Sequence, residues 1–250
     1  MRTYISLIFT LLFMNVHALD GHELLSEANR EYSAGNFKKA VELYEQILSS
    51  GRESSQLYFN LGNAYFKEGD RIRAILNYER AKLLAPQDED IEFNLKIANQ
   101  YVVDNIEQLP KPFFERWWNS LGNMSSADGW ARKSVAGFIA FLVLLGTFFF
   151  SRSIRIRKTA FYTAVAAGLF VVLSFILASK QYDLIKNRRS ALILCPRVTV
   201  KSSPSATGTD LFLIHEGLKV EITDKLDKWR EIELADGNKG WVADSCLIGI

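Results

Sequence analysis

Cysteine occurs twice in the 250 residues, proline five times and histidine three times, and 30 basic side chains are almost balanced by 28 acidic ones. So few cysteines exclude a disulfide-dense mini-domain, and so little proline and glycine excludes a collagen-like or low-complexity chain. A net charge of +2 excludes a polyanion binder recognisable by bulk charge, and no nucleic-acid partner is expected.

The neutrality is a cancellation. Residues 106–190 carry 12 basic and 4 acidic side chains, a net +8, whereas residues 19–105 carry −5 and residues 191–250 carry −2. The basic segment also holds two runs free of charge, Ser134 to Phe150 with 17 residues and Ala160 to Ser179 with 20. Each reaches or nearly reaches the length that crosses a bilayer, about 20 residues. The mean hydropathy of +0.01 therefore averages two apolar spans with polar flanking domains. Between the spans lie Arg152, Arg155, Arg157 and Lys158 without an acid, the pattern of a cytoplasmic loop. At the N-terminus, Arg2, the apolar stretch Tyr4 to Phe13 and the small residues Val16 and Ala18 have the layout of a secretory signal peptide cleaved after Ala18. Both terminal domains are then expected on the exported side of an inner membrane. Trp117, Trp118 and Trp130, with Phe113, Phe114, Arg116 and Arg132, suit the headgroup level, so membrane lipid is an expected contact. In the second span Ala160, Ala164, Gly168, Ser174 and Ala178 place small residues along one helical stripe, which permits close helix packing.

Residues 21–94 repeat with a period of 34. Leu24 recurs as Tyr58, Ala28 as Gly62, Tyr32 as Phe66, Gly35 as Gly69, Asn36 as Asp70, Ala40 as Ala74 and Tyr44 as Tyr78. The period and the pattern Tyr58, Leu61, Gly62, Tyr65, Gly69, Ala74, Tyr78, Ala81, Pro86 resemble the tetratricopeptide repeat. One helix is predicted from about Gln56 to Lys67, broken at Gly69, with Asp70 capping the next and Pro86 ending it. Asp88-Glu89-Asp90 opens one more helix, to about Val103, that reads as a cap. An array of two and a half repeats is close to the minimum for a stable stack, so support from outside it is expected. The resemblance implies a concave groove lined by the first helix of each repeat. Asn29, Asn60, Asn63 and Asn94 obey the period there, with Tyr32, Phe59, Phe66 and Phe93 beside them. An amide both donates to and accepts from a peptide group, so these residues are candidates for holding an extended peptide by its backbone. The alternative is that the asparagines bond only within the stack. The lysine of the family's carboxylate clamp is absent, since Leu25 and Asp90 occupy its positions.

From Ala191 the pattern changes to short apolar alternations, five or so strands, with turns at Pro204 to Gly208, Glu216-Gly217 and Asp236-Gly237. Val198 to Pro204, Glu216-Gly217, Val220, Trp229, Ile232, and Asp236-Gly237 through Gly240-Trp241-Val242 resemble a bacterial SH3 domain. That resemblance implies a small all-β barrel in which Lys201 and Trp229 face a ligand or simply build the barrel, while Trp241 belongs to its core. It also brings the terminal strands together, so Cys195 and Cys246 either form a disulfide or stay as two buried thiols.

Outside the leader the only histidines are His22 and His215, neither with metal-ligand spacing. No phosphate-cradling glycine loop, paired-carboxylate motif or thiol–histidine arrangement occurs. No catalytic, cofactor or metal residue is therefore assigned, and no enzyme activity is expected.

The chain reads as multidomain: signal peptide 1–18, tetratricopeptide domain 19–105, juxtamembrane segment 106–130, spans 131–150 and 160–179 around a basic loop 151–159, linker 180–190 and SH3-like domain 191–250. This order, with FFERWWNSLGNMSSADGWA before the first span and VTVKSSPSATGTDLFLIHEG after the second, resembles the BatE-like family of aerotolerance operons. The resemblance implies a scaffold in a membrane-associated assembly with von Willebrand-type proteins and a MoxR-class ATPase, in envelope or oxidative stress. The other reading is a cell-wall sensor whose SH3-like domain binds peptidoglycan. Channel activity is disfavoured, because neither span contains a charge.

Overall fold

A computed structural model describes residues 21–250 apart from 108, 111 and 188; the signal-peptide assignment lies outside the described residues. The chain folds as a helical repeat region, two long apolar helices and a C-terminal antiparallel β-sheet domain.

The repeat region contains α1 (residues 21–33), α2 (Phe37–Ser49), α3 (Ser55–Glu68), α4 (Arg71–Leu84) and α5 (Glu89–Asn99). Local chemistry sets these limits. The Ser54 side chain accepts from the Leu57 N–H, Asp70 from Arg73, and Asp88 from Asp90 and Ile91, satisfying donors that a helix start leaves open. Gly69 ends α3 at φ 96°, a left-handed conformation that a side chain disfavours. Ala85, ahead of Pro86, is pushed out of helical geometry and ends α4. Gly62 crosses Tyr78 so closely that a Cβ there would lie 2.7 Å from two ring carbons, which is why this helix position admits no side chain. The capping helix ends at Asn99, short of the predicted Val103. Beyond it Tyr101 turns its ring onto the Arg71 guanidinium, and Asp104 accepts from the backbone and ring nitrogens of His215 at 2.6 and 2.9 Å.

The apolar helices are α7 (Ala127–Phe150) and α8 (Ile154–Asn187), preceded by the short α6 (Phe113–Asn123). They form a hairpin connected by residues 151–153 alone, so Arg155, Arg157 and Lys158 stand in the first turns of α8 rather than in a loop. At its other end α8 continues through the predicted linker to Asn187. Ala160, Ala164, Ser174 and Leu177 are buried on α8, and Gly137 and Gly168 each sit within van der Waals reach of rings on the facing helix. The small-residue stripe thus lies in the α7–α8 contact. On α6, Asn119 and Asn123 accept from Lys180 and Gln181 of α8 at 2.6 and 3.0 Å, and the Gly122 carbonyl accepts from the Trp130 indole at 2.8 Å. Phe113, Phe114 and Trp117 remain exposed.

The β-domain has seven strands: β1 (Ser190–Ile193), β2 (Arg197–Lys201), β3 (Asp210–His215), β4 (Lys219–Leu226), β5 (Trp229–Glu233), β6 (Lys239–Ala243) and β7 (Leu247–Gly249). Their order is β3-β2-β6-β5-β4-β1-β7, all pairs antiparallel. The three expected turns are present, and a fourth, at Asp227-Lys228, lies between β4 and β5, with seven strands in place of the five or so expected. Ala191, Ile193, Val200, Val220, Ile232 and Val242 fill the inner side. Cys195 and Cys246 are joined as a disulfide, Cα–Cα 5.1 Å, tying the β1–β2 connection to the approach to β7.

The repeat region and the β-domain share a core. Strand β1 is buried on both faces: Ala191 and Ile193 look into the sheet domain, whereas Leu192, with Ile248 and Ile250, belongs to the core of the helices. Six consecutive residues of α4, Ala74 to Glu79, are buried, so over this stretch the helix is enclosed on every side. Polar groups complete the seam. Glu79 pairs with Lys219 at 2.6 Å, Arg80 donates to the Gly249 carbonyl at 2.7 Å, and the Leu109 N–H donates to the Ala235 carbonyl. Gly217, at φ 84°, lets the β3–β4 turn approach Ile72 and Val102, where a Cβ would lie 2.9 and 3.1 Å from their side chains. The outside support that a short array requires comes from the chain's own C-terminal domain.

Ile250→Ala empties space in this joint core and is expected to lower stability by about 2–5 kcal/mol. Hydrogen exchange should accelerate in α4 and β1 together; acceleration confined to the β-domain would show that the two parts do not share a cooperative core.

Candidate functional site

The groove is built by a hydrogen-bond unit that repeats with the helices. The Asn29 Oδ1 accepts from the Tyr44 hydroxyl at 2.7 Å and from the Asn60 amide at 3.1 Å. Thirty-four residues later, the Asn63 Oδ1 accepts from the Tyr78 hydroxyl at 2.7 Å and from the Asn94 amide at 2.8 Å. Each asparagine therefore joins the second helix of its own repeat to the first helix of the next. Burial pushes the Tyr44 hydroxyl up to about 12, and it raises Tyr78 as well, so both stay protonated donors at neutral pH. Burial again, with Glu45 accepting its hydroxyl proton, raises Tyr65.

Two lone pairs on each central carbonyl are thus spent inside the stack. What the groove keeps is the donor half: among the described residues the amide nitrogens of Asn29 and Asn63 donate to no protein acceptor. A cavity of about 200 Å³ lies over them, lined by Asn29, Tyr32, Ser33, Tyr44, Asn60 and Asn63. Of the two sequence alternatives, internal bonding occupies the oxygen of each central asparagine, while its nitrogen takes no part in that bonding.

The aromatic candidates divide. Tyr32 lines the cavity, edge-on to Phe37 at 5.4 Å. Phe59 lies against Tyr78 in the helical core. Phe66 and Tyr101 clamp the Arg71 guanidinium at 4.1 and 4.6 Å, a contact that secures the α3–α4 corner. Phe93 is exposed. Glu31, standing where the second repeat has Tyr65, accepts from Asn36 at 2.8 Å and Lys39 at 2.9 Å, and the Asn36 bond, then the lysine, lowers its pKa. Asn36 consequently makes no cap of the kind its counterpart Asp70 makes.

On the β-domain Lys201 and Trp229 lie on the outer side of the sheet, and Trp241 stands between their strands. Trp241 pairs with Lys201 on one side and Glu231 on the other. It is half-buried and outside the core, contrary to the sequence reading. The inward positions of β6 are Gly240 and Val242; a Cβ on Gly240 would come within 2.4 Å of Val200, so alternation sends the tryptophan outward. Lys201 is ion-paired with Asp210. Among the described residues no group of histidine, cysteine and acidic side chains is arranged to hold a metal ion.

Residues 55–88 match the tetratricopeptide repeat family. The chain is also 30% identical over 76 residues to the outer membrane protein assembly factor BamD of Neisseria gonorrhoeae and of Neisseria meningitidis serogroup A. The match covers 29% of this chain and 28% of each relative, so it concerns little more than a quarter of their length.

Asn63→Ala leaves the hydroxyl of Tyr78, a residue only 2% exposed, without its acceptor and is expected to cost about 1–3 kcal/mol in stability read from a denaturation midpoint. Asn94→Ala removes only an outer donor and is expected to cost about 1 kcal/mol or less. Equal losses would contradict the asymmetry. Stability is also expected to be full below pH 10 and to fall as pH rises toward 12. Folded Tyr44 holds its proton to about 12 whereas an unfolded tyrosine releases it near the ordinary 10.0, so the unfolded state binds fewer protons in that window. Denaturation at a series of pH values checks this; a flat profile above pH 10 would refute it.

Proposed function

We propose that the protein is a non-enzymatic, membrane-anchored scaffold that docks partner proteins through its tetratricopeptide groove. The observation that carries this reading is the pair of asparagine amides, one repeat apart, offering donors over a cavity. Extended peptide presents carbonyls at regular spacing, and two fixed donors hold its backbone with little regard to sequence. The family match supports an interaction module, and the similarity to an assembly factor is in keeping with a place in a larger complex.

In this reading α7 and α8, with mean hydropathies of 2.0 and 2.3 over their most apolar windows, cross the inner membrane. The basic turn faces the cytoplasm, and both docked domains lie on the exported side, where the Cys195–Cys246 bond persists. The exposed face of α6 rests at the outer headgroup level. The resemblance to BatE-like proteins supports a role for the scaffold beside von Willebrand-type and other Bat-like proteins of an aerotolerance or envelope-stress assembly. A second reading, peptidoglycan binding by an SH3-like domain, draws support from Lys201 and Trp241, which stand opposite one another, and from Trp229 two residues along the next strand from Trp241's partner Glu231, since aromatics near a cation suit a glycan or its peptide.

Tyr32→Ala combined with Phe93→Asp leaves the Asn–Tyr units in place and is expected to remove the partners captured by crosslinking in intact cells, followed by mass spectrometry, at unchanged membrane levels. An unchanged partner set would sink the groove as docking site. Retention of the full-length protein on purified sacculi, lost on Trp229→Ala, would favour the second reading.

A further inference from the structure

The turn of the helix hairpin carries a cavity of its own. Its lining is Phe148 of α7 with Ile154, Arg157, Lys158, Phe161 and Tyr162 of α8, and its volume is about 360 Å³. The five α8 residues recur at three- and four-residue steps and therefore share one face. Phe148 closes the other side: its ring centroid lies 5.7 Å from that of Phe161, and the Arg157 guanidinium sits over it at 5.3 Å. Phe161 and Tyr162 meet edge to face at 5.6 Å. Cation and aromatic wall are thus assembled into one surface, and Ile154 and Tyr162 stay 71% exposed beside it.

Among the described residues no acidic side chain neutralises this end. No acidic residue occurs between Asp128 and Asp183, the first turn of α8 holds none, and Arg152, Arg155, Arg157 and Lys158 make no ion pair among the described residues. The last carbonyls of α7 offset the positive end of the α8 dipole, about half a charge each, but leave four formal cations. Arg157 and Lys158 lie directly before the uncharged run from Thr159 to Ser179, which spans about 30 Å. With α7 and α8 across a bilayer, they stand at the headgroup plane, with aromatic rings on the hydrocarbon side.

We propose that this cavity binds one anionic phospholipid, with its phosphate on Arg157 and Lys158 and the upper part of an acyl chain against Phe148, Phe161 and Ile154. Arginine and lysine meet a phosphate with charge-assisted hydrogen bonds. An ammonium headgroup would bring a fifth cation beside Arg152 and Arg155, so a lipid of net negative charge such as phosphatidylglycerol is selected over phosphatidylcholine. The site rests on the reading that the two helices cross the membrane.

The test uses the full-length protein in nanodiscs of phosphatidylcholine containing a minor fraction of phosphatidylglycerol, with retained lipid read by native mass spectrometry. One phosphatidylglycerol per chain should survive on the wild type. Retention should fall at least tenfold in the Arg157→Ala/Lys158→Ala double variant and in Phe161→Ala, which keeps every charge. It should persist in Arg152→Ala/Arg155→Ala, which removes the same charge outside the cavity. Equal loss in both double variants, or full retention in Phe161→Ala, would reduce the effect to diffuse charge and overturn the site. Displacement of the lipid by millimolar inorganic phosphate would overturn it in favour of a free anion. Extraction of the chain from membranes by alkaline carbonate would instead refute the membrane reading itself, while a carbonate-resistant chain without selective retention refutes this site alone.

Discussion

The enclosure of α4 is the constraint on which the rest of the structure depends. A repeat array buries its faces only against neighbours, and an array this short leaves its last complete pair with an open side. Here that side is closed by β1 and β7, through Leu192, Ile248 and Ile250, with the Glu79–Lys219 pair and the Arg80–Gly249 bond on its edges. The arrangement solves a problem for the sheet as well. Strand β7 ends the sheet order, and an uncovered edge invites pairing with another chain. Covering it with a helix and filling one of its carbonyls with a guanidinium removes that liability.

From the same enclosure follows the geometry of the groove. Because α4 is fixed between the sheet domain and α3, Tyr78 reaches Asn63 in one direction only, and Asn63 must turn its oxygen inward. The first repeat copies the arrangement through Tyr44 and Asn29. Two amide nitrogens are thereby aimed outward by interactions that belong to the packing and not to any ligand. In the proposed docking role, such a site is organised before a partner arrives, and a partner loses less freedom in meeting it than it would in ordering a loose one.

Much of this was legible in the residues. The 34-residue period, the Gly69 break, the caps at Asp70 and Asp88 and the three turns of the β-domain each follow from local chemistry that tertiary packing did not override. The joint core was not legible, for a physical reason. Leu192 and Ile193 are neighbours on one strand, and an apolar pair there reads the same whether it fills one core or divides between two. α4 held a signal in retrospect: Ile72, Ile75, Leu76, Leu83 and Leu84 lie on more than one face beside the repeat's own Ala74, Tyr78 and Ala81, as in a helix with no solvent side. Trp241 leaves the core that the SH3 resemblance implied for it, because the need for Gly240 against Val200 decides the parity of that strand. The asparagines were found by period, but which of their atoms is spoken for depends on tyrosines fifteen residues away on a different helix.

The joint core also determines how the groove is mounted. Helix α8 runs unbroken from the turn of the hairpin to Asn187, and β1 begins at Ser190; β1 in turn packs under α4. The path from the apolar hairpin to the groove-bearing helices therefore passes through a helix, a strand and a shared core, with only two residues between helix and strand. The second connection, from α5 to α6, is pinned where Asp104 binds His215 and where Leu109 joins Ala235. Two independent attachments of this kind hold the groove at a set height and direction relative to α7 and α8. Domains joined by loose linkers reorient as the default, and a tethered module of that sort gains only local concentration. A module fixed in orientation also selects the direction from which a partner's segment can enter, and that is the property a scaffold needs if several components are to meet at one place in a defined arrangement.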